Sequence, residues 1–112
     1  VLELVLTFIL LYTIYATCVD KGTKSSPSSA PLTVGLVVTS IILAAAPFSS
    51  ASMNPARSFG PAFVSGDFTD HWVYWVGPLV GGAAGGILYE LLFSSSYCSP
   101  SSTHEPLASN EY

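Results

Sequence analysis

Within the nine residues Ser52-Met53-Asn54-Pro55-Ala56-Arg57-Ser58-Phe59-Gly60 the chain gathers a carboxamide, a proline and a guanidinium, directly after an apolar stretch of membrane length that ends near Phe48. Asn54 is a strong N-cap type, because its side-chain oxygen can accept a free N–H of a helix's first turn. Pro55 suits the first helical position, where a missing N–H costs nothing. Pro61 and Gly66 then bracket a short apolar segment, so a helix is expected over 55–65. Such a helix is roughly 15 Å long, about half of a 30 Å hydrocarbon core. Lipid cannot satisfy its free N–H groups, so a helix starting at that depth needs protein or water beside it. Its N-terminal end, carrying about half a unit of positive charge, then points into the bilayer centre. Arg57 would cost roughly 2.5–3.5 kcal/mol at a helix centre. That calls for a water-filled cavity around it, unless its head snorkels to the interface. This arrangement is one found in pores, and its chemistry is hydrogen bonding and charge exclusion. Bond-making chemistry has no support: there is no nucleophile–base pair, no metal-ligand pattern and no G-x-S-x-G. Glu3 is a second candidate, as an acid inside an apolar run.

The elements that must position these groups follow from the apolar runs. Residues 1–19 are apolar apart from Glu3, Thr7, Thr13 and Thr17, and read as a first spanning helix. Residues 20–31 (DKGTKSSPSSAP) read as a loop. They hold Lys21 and Lys24, two of the three basic residues, which places the loop on the cytoplasmic side. Residues 32–48 form a second span, with Gly35, Ser40 and Ala44 to Ala46 allowing close packing and Pro47 expected to end or bend it. Ser49 to Met53 is too short to connect two spans through water, so it dips inward to Asn54. Gly66 to His71 is a polar turn on the side opposite the lysines. Trp72, Tyr74 and Trp75 mark an interfacial belt, and a third span runs over about 72–93. Gly77, Gly81 and Gly85 recur every four residues, with Gly82 and Gly86 beside them, a stripe that admits a neighbouring helix. Residues 94–112 are Ser-rich with Pro100, Pro106 and acids, and read as a disordered cytoplasmic tail. The fold class is therefore all-α and membrane-embedded: three spans plus one re-entrant half-helix.

Composition agrees. Of 112 residues 50% are hydrophobic and 9% charged, and mean hydropathy is +0.55, too apolar and too sparsely charged for an ordinary soluble domain. Three Lys or Arg residues exclude a nucleic-acid surface. The net charge of −4 comes largely from loop and tail acids. Cys18 and Cys98 read as free thiols, and no cofactor or metal is expected. Val1 already lies inside an apolar run, so the chain reads as part of a longer one.

These residues resemble the second half of a major intrinsic protein, or aquaporin. Asn54-Pro55-Ala56 followed by Arg57 matches the second of that family's two Asn-Pro-Ala signatures, within the specific context ASMNPARSFGPA from Ala51 to Ala62. The segments LLYTIYAT (Leu10–Thr17), SGDF (Ser65–Phe68) and HWVYWVGPLVGG (His71–Gly82) are most similar to the plant tonoplast intrinsic proteins. The resemblance covers residues 1 to about 93. It implies the family's helices four to six with loop D and the re-entrant loop E, and it leaves the first half, with the first Asn-Pro-Ala, outside this chain.

The resemblance also implies roles. Asn54, capping with its oxygen, would turn its amide donors to the pore and orient a passing water; the plainer reading is a cap alone. Arg57 would be the selectivity-filter arginine, donating to solutes and repelling cations. Ile42 and Ala51 fall by register on two further filter positions, where they would make a wider, less polar constriction; the plainer reading is packing. An extended Ser50, Ala51, Ser52 and Met53 would present backbone carbonyls as a row of acceptors. Glu3 would brace the half-helix loop. The serines of 25–29 and 94–102 read as solvated segments rather than phosphorylation sites, and His71 as a surface histidine near the mouth with a pH-sensing role as the alternative. The expected function is a passive channel for water and small neutral solutes such as urea, ammonia or hydrogen peroxide. It would work as part of a complete six-helix protomer in the vacuolar membrane (tonoplast), in a homo- or hetero-tetramer. The competing reading is a truncated, non-conducting membrane fragment that associates with intact protomers.

Overall fold

The structure, a computed structural model, describes residues 1–19 and 29–93. Lys21, Lys24, Cys98, His104 and the tail assigned to 94–112 lie outside the described residues. Among those described, every regular element is helical: α1 (Leu2–Ile14) continuing into a π-helical turn (Tyr15–Val19), then α2 (Ser29–Ser49), α3 (Pro55–Ser65) and α4 (Val73–Phe93).

Among the described residues two helices are long and apolar enough to cross a membrane. These are α2 and α4, each of 21 residues, with mean hydropathy 2.0 and 1.4. The first run is shorter, apolar over Leu2–Cys18, and its last turn widens to π geometry. Its polar side chains are absorbed locally. The hydroxyls of Thr7, Thr13 and Thr17 donate to the carbonyls of Glu3, Ile9 and Thr13 at 2.7, 2.8 and 2.8 Å, which lets threonine sit in an apolar helix without an unpaired donor.

Three sequence expectations shift. Ser29 to Pro31 belong to the first turn of α2 rather than to the loop, as proline is tolerated where its missing N–H has no intrahelical partner. Pro47 lies inside α2, which runs two residues further to Ser49. The segment before Asn54 is not extended: Ser50, Ala51 and Met53 have φ of 59°, 45° and 53°, a left-handed conformation that side chains with a Cβ seldom adopt.

The main packing is α1 against α4, through the glycine stripe. A Cβ added at Gly77 would stand 2.8 Å from Cβ of Glu3, one at Gly85 would stand 2.8 Å from the Phe8 carbonyl oxygen, and one at Gly81 would collide with the Leu4 carbonyl oxygen. Backbone here meets backbone, and only glycine leaves the room. Tyr89 of α4 meets Tyr12 edge-to-face and Tyr15 at a tilt, and stacks on Phe93. A smaller apolar cluster joins α1, α2 and the linker after α2: Leu6, Ile41, Ala45, Ala51 and Met53. Of the small residues of α2, Ala45 packs into this cluster, whereas Gly35, Ser40 and Ala44 are exposed. Large apolar side chains such as Leu36, Leu43, Leu79 and Leu91 are 60% exposed or more, the surface expected of helices that face lipid or further helices.

Helix α3 is defined at both ends. Asn54, with φ −155° and ψ 121°, caps it by accepting the Ala56 N–H at 2.9 Å. Gly66, with φ 73°, closes it by donating its N–H to the Ala62 carbonyl at 2.9 Å. Asp67 then accepts the Thr69 N–H at 2.9 Å. Together with the Thr69 hydroxyl, this holds the Asp67 carboxyl below its ordinary range, with the hydroxyl the larger cause. A tight turn with Asp70 at φ 51° leads into α4.

Candidate functional site

The site is built around the linker from Ser50 to Met53, whose left-handed residues cost about 1–2 kcal/mol each. Glu3 holds this linker in place. It is 1% exposed, and its Oε1 accepts the Ser49 hydroxyl at 2.8 Å and the Ser52 N–H at 3.0 Å, while Oε2 accepts the Met53 N–H at 2.7 Å. One side chain of α1 thus satisfies two backbone donors that no helix or sheet partners. Burial of Ala51 (0% exposed) and Met53 (7%) against Leu6, Ile41 and Ala45 seals the same segment from the other side.

Ser52 carries the order onward to α3. Its hydroxyl donates to the Asn54 carbonyl at 2.8 Å and receives the Ser58 hydroxyl in a short contact. The first turn of α3 is therefore tied to the linker by side chains as well as by the Asn54 cap. Asn54 is exposed. Its oxygen is engaged by Ala56, and its amide N–H groups have no partner among the described residues. Arg57, one turn on, is exposed and forms no ion pair among the described residues.

Arg57 lines a groove of about 410 Å³. Ser50, Ser52 and Ser58 line it, together with Asp67, Thr69, His71 and Tyr74. The lining mixes serine, threonine and tyrosine hydroxyls with an imidazole and charges of both signs, groups that can hydrogen-bond a small polar molecule.

The candidates read from the sequence divide between two places. Ser50, Ser52 and Arg57 meet in the groove. Ile42 packs against the apolar cluster that contains Ala51 and Met53, and neither Ile42 nor Ala51 lines the groove. Ala51 is fully enclosed, so its expected place in a constriction beside Arg57 is not visible in this chain. Ser58, Asp67, Thr69 and Tyr74 do not stand out in the sequence as site residues. Ser58 has a readable signal, since it stands one position after Arg57 and one turn from the Asn54 cap; the others become neighbours of Arg57 only through the αL closure at Gly66.

The profile of the family described as Major intrinsic protein matches residues 1–89. The chain is 54% identical over its whole length to aquaporin TIP2-1 of Arabidopsis thaliana, covering 43% of that protein. It is 50% identical over its whole length to aquaporin TIP2-3 of Zea mays, covering 42% of it. Over 88 residues, 79% of the chain, it is 61% identical to aquaporin TIP4-1 of Arabidopsis thaliana, covering 35% of that protein. The chain thus spans about two fifths of the length of these relatives.

Proposed function

The chain belongs to the major intrinsic protein family, and from that premise we propose that it supplies the second half of a passive channel for water and small neutral solutes. In this reading α1, α2 and α4 span the bilayer, α3 enters it part way, and a preceding half contributes the facing wall. The membrane is the tonoplast, as for the relatives' type; the 20–31 loop and the 94–112 tail face the cytoplasm; and protomers assemble as homo- or hetero-tetramers. Urea, ammonia and hydrogen peroxide are the small neutral solutes proposed to pass beside water.

The observation that carries the reading is α3 itself. A short helix, capped by Asn54 and carrying Arg57 at a polar groove, begins where a membrane-length helix has just ended. Its free N–H end and Arg57 both oppose cations, and the free Asn54 amide offers donors to a passing oxygen. Glu3, Ser52 and Ser58 act as the scaffold that fixes Arg57 and Asn54 relative to each other.

The test is transport by the completed protomer, made by joining the chain behind the corresponding first half of the Arabidopsis relative. Arg57→Val is expected to widen the filter and raise urea or glycerol flux relative to water in proteoliposome swelling; an unchanged ratio would remove Arg57 from the filter. Asn54→Asp keeps a good N-cap but adds a negative charge at the helix start. It should admit cation current, and a tight, normally water-permeable channel would mean that Asn54 does not face the path.

A second reading is favoured by the chain's share of its relatives' length: a non-conducting fragment that associates with intact protomers. Swelling assays on the chain alone separate the two. Water flux absent from the chain and restored by the first half supports the channel reading; no flux in the completed protein supports the fragment.

A further inference from the structure

We propose that His71 is a proton-operated element of the groove mouth: uncharged, its ring is stowed among aromatic side chains, and protonated, it moves into the groove beside Arg57 and lowers flux. The proposal rests on the channel reading above and names a regulation of the same site.

Four aromatic rings surround His71. Their centroids stand at 6.1 Å for Phe59, 5.4 Å for Phe68, 6.0 Å for Tyr74 and 6.5 Å for Trp75, with Phe68 and Trp75 edge-to-face. Within this cage Nε2 is buried and has no hydrogen-bond partner among the described residues. Most buried polar atoms are satisfied, and an orphaned one asks for an explanation. A neutral imidazole can leave a bare lone pair in such a place, whereas an imidazolium carries N–H on both nitrogens. Protonation therefore puts a buried donor where no acceptor stands. Aromatic faces attract a cation, but they do not replace the missing acceptor.

The same residue lines the groove, so the ring has somewhere to go. The charged and titratable groups around it come from each neighbouring element: Arg57 on α3, Asp67 and Asp70 in the turn, and Tyr74 on α4. The C-terminal end of α3, closed at Gly66, adds partial negative charge. Asp67, ionised through its contacts with Thr69, is the acceptor that the cage lacks. Arg57 opposes the move by like charge, and this is how the move matters. A second cation joins the first, and a ring occupies part of a groove of about 410 Å³. Histidine is the side chain that changes charge between about pH 5 and 8, so the device responds to acidification of the compartment that the mouth faces.

The experiment uses the completed protomer in proteoliposomes, in a version whose one tryptophan is Trp75. Trp75 fluorescence reports the His71 ring directly, because the indole stands edge-to-face with the stowed imidazole and its surroundings change when the ring departs. Water flux is read on the same vesicles. The expected result is a fluorescence step and a fall in flux on acidification that share one midpoint, both lost in His71→Phe, which fills the cage without titrating. His71→Gln serves as a second non-titrating variant should the first fold poorly. A fluorescence step with pH-independent flux overturns the proposal, as does a pH-dependent flux that survives both substitutions. A protein that conducts with neither step overturns it while leaving the channel reading intact; flux absent at every pH overturns both.

Discussion

Glu3→Ala is expected to abolish transport by the completed protomer and to lower its stability more than any other single truncation of a side chain in this chain. The carboxyl group is 1% exposed and receives three hydrogen bonds, from the Ser49 hydroxyl and from the N–H groups of Ser52 and Met53. Alanine leaves both backbone donors buried and unpaired, at about 1–3 kcal/mol each. The Ser49 hydroxyl, half-buried, can turn elsewhere. The sum, roughly 2–6 kcal/mol, is a large share of the 5–15 kcal/mol by which domains are generally stable. The cost falls on a segment already strained at Ser50, Ala51 and Met53, so the linker should relax toward ordinary backbone angles. Relaxation there moves Ser52, and with it the contacts that fix the first turn of α3.

Glu3→Gln separates this account from a simple need for volume. The amide keeps one acceptor oxygen but turns an NH2 toward at least one of the same donors. Its stability should lie between wild type and Glu3→Ala. Detergent-titrated unfolding, followed by helical circular dichroism, gives the stabilities, and vesicle swelling gives the flux. If Glu3→Gln were indistinguishable from wild type in both, the hydrogen bonds to the linker would not be what Glu3 contributes.

Much of α3 is legible in the sequence because its signals are local. Asn54, Pro55 and Gly66 each act within one turn, and a cap, a first-turn proline and a left-handed closing glycine define the helix without reference to anything distant. The glycine stripe of α4 is equally plain, since a spacing of four residues marks one helix face. What it meets is not, because the partner, Glu3 to Phe8 of α1, lies far away in the chain. The linker's conformation is hidden for a related reason. Ser50, Ala51 and Met53 carry no intrinsic preference for positive φ, and it is the distant Glu3 carboxyl that holds them there. The composition of the groove depends on the same kind of information, since Thr69, His71 and Tyr74 approach Arg57 only after the chain has reversed at Gly66.

Gly81→Ala is the second large effect, and its sign runs against local propensity. Alanine in a helix interior is favoured over glycine by about 0.8–1 kcal/mol, so propensity alone makes the substitution stabilising. At Gly81, however, the new Cβ would collide with the Leu4 carbonyl oxygen, and the Leu4 carbonyl carbon would stand only 2.9 Å away. A backbone oxygen inside a helix cannot rotate aside, so α1 as a whole must move off α4. That movement also opens the contacts at Gly77 and Gly85, which belong to the same seam. Overpacking of this kind typically costs about 1–3 kcal/mol and sometimes more, enough to exceed the propensity gain. Because α1 carries Glu3, the separation also draws its carboxyl away from the linker, and stability and transport should fall together. The neighbouring Gly82 supplies the control. A Cβ there meets side-chain atoms no closer than 3.6 Å, ordinary contact, so Gly82→Ala should be neutral or slightly stabilising. Unfolding of the two variants side by side in the completed protomer decides the matter: equal stabilities would mean that α1 and α4 are not held in backbone contact at Gly81, and the scaffold that fixes Arg57 would have to be sought elsewhere.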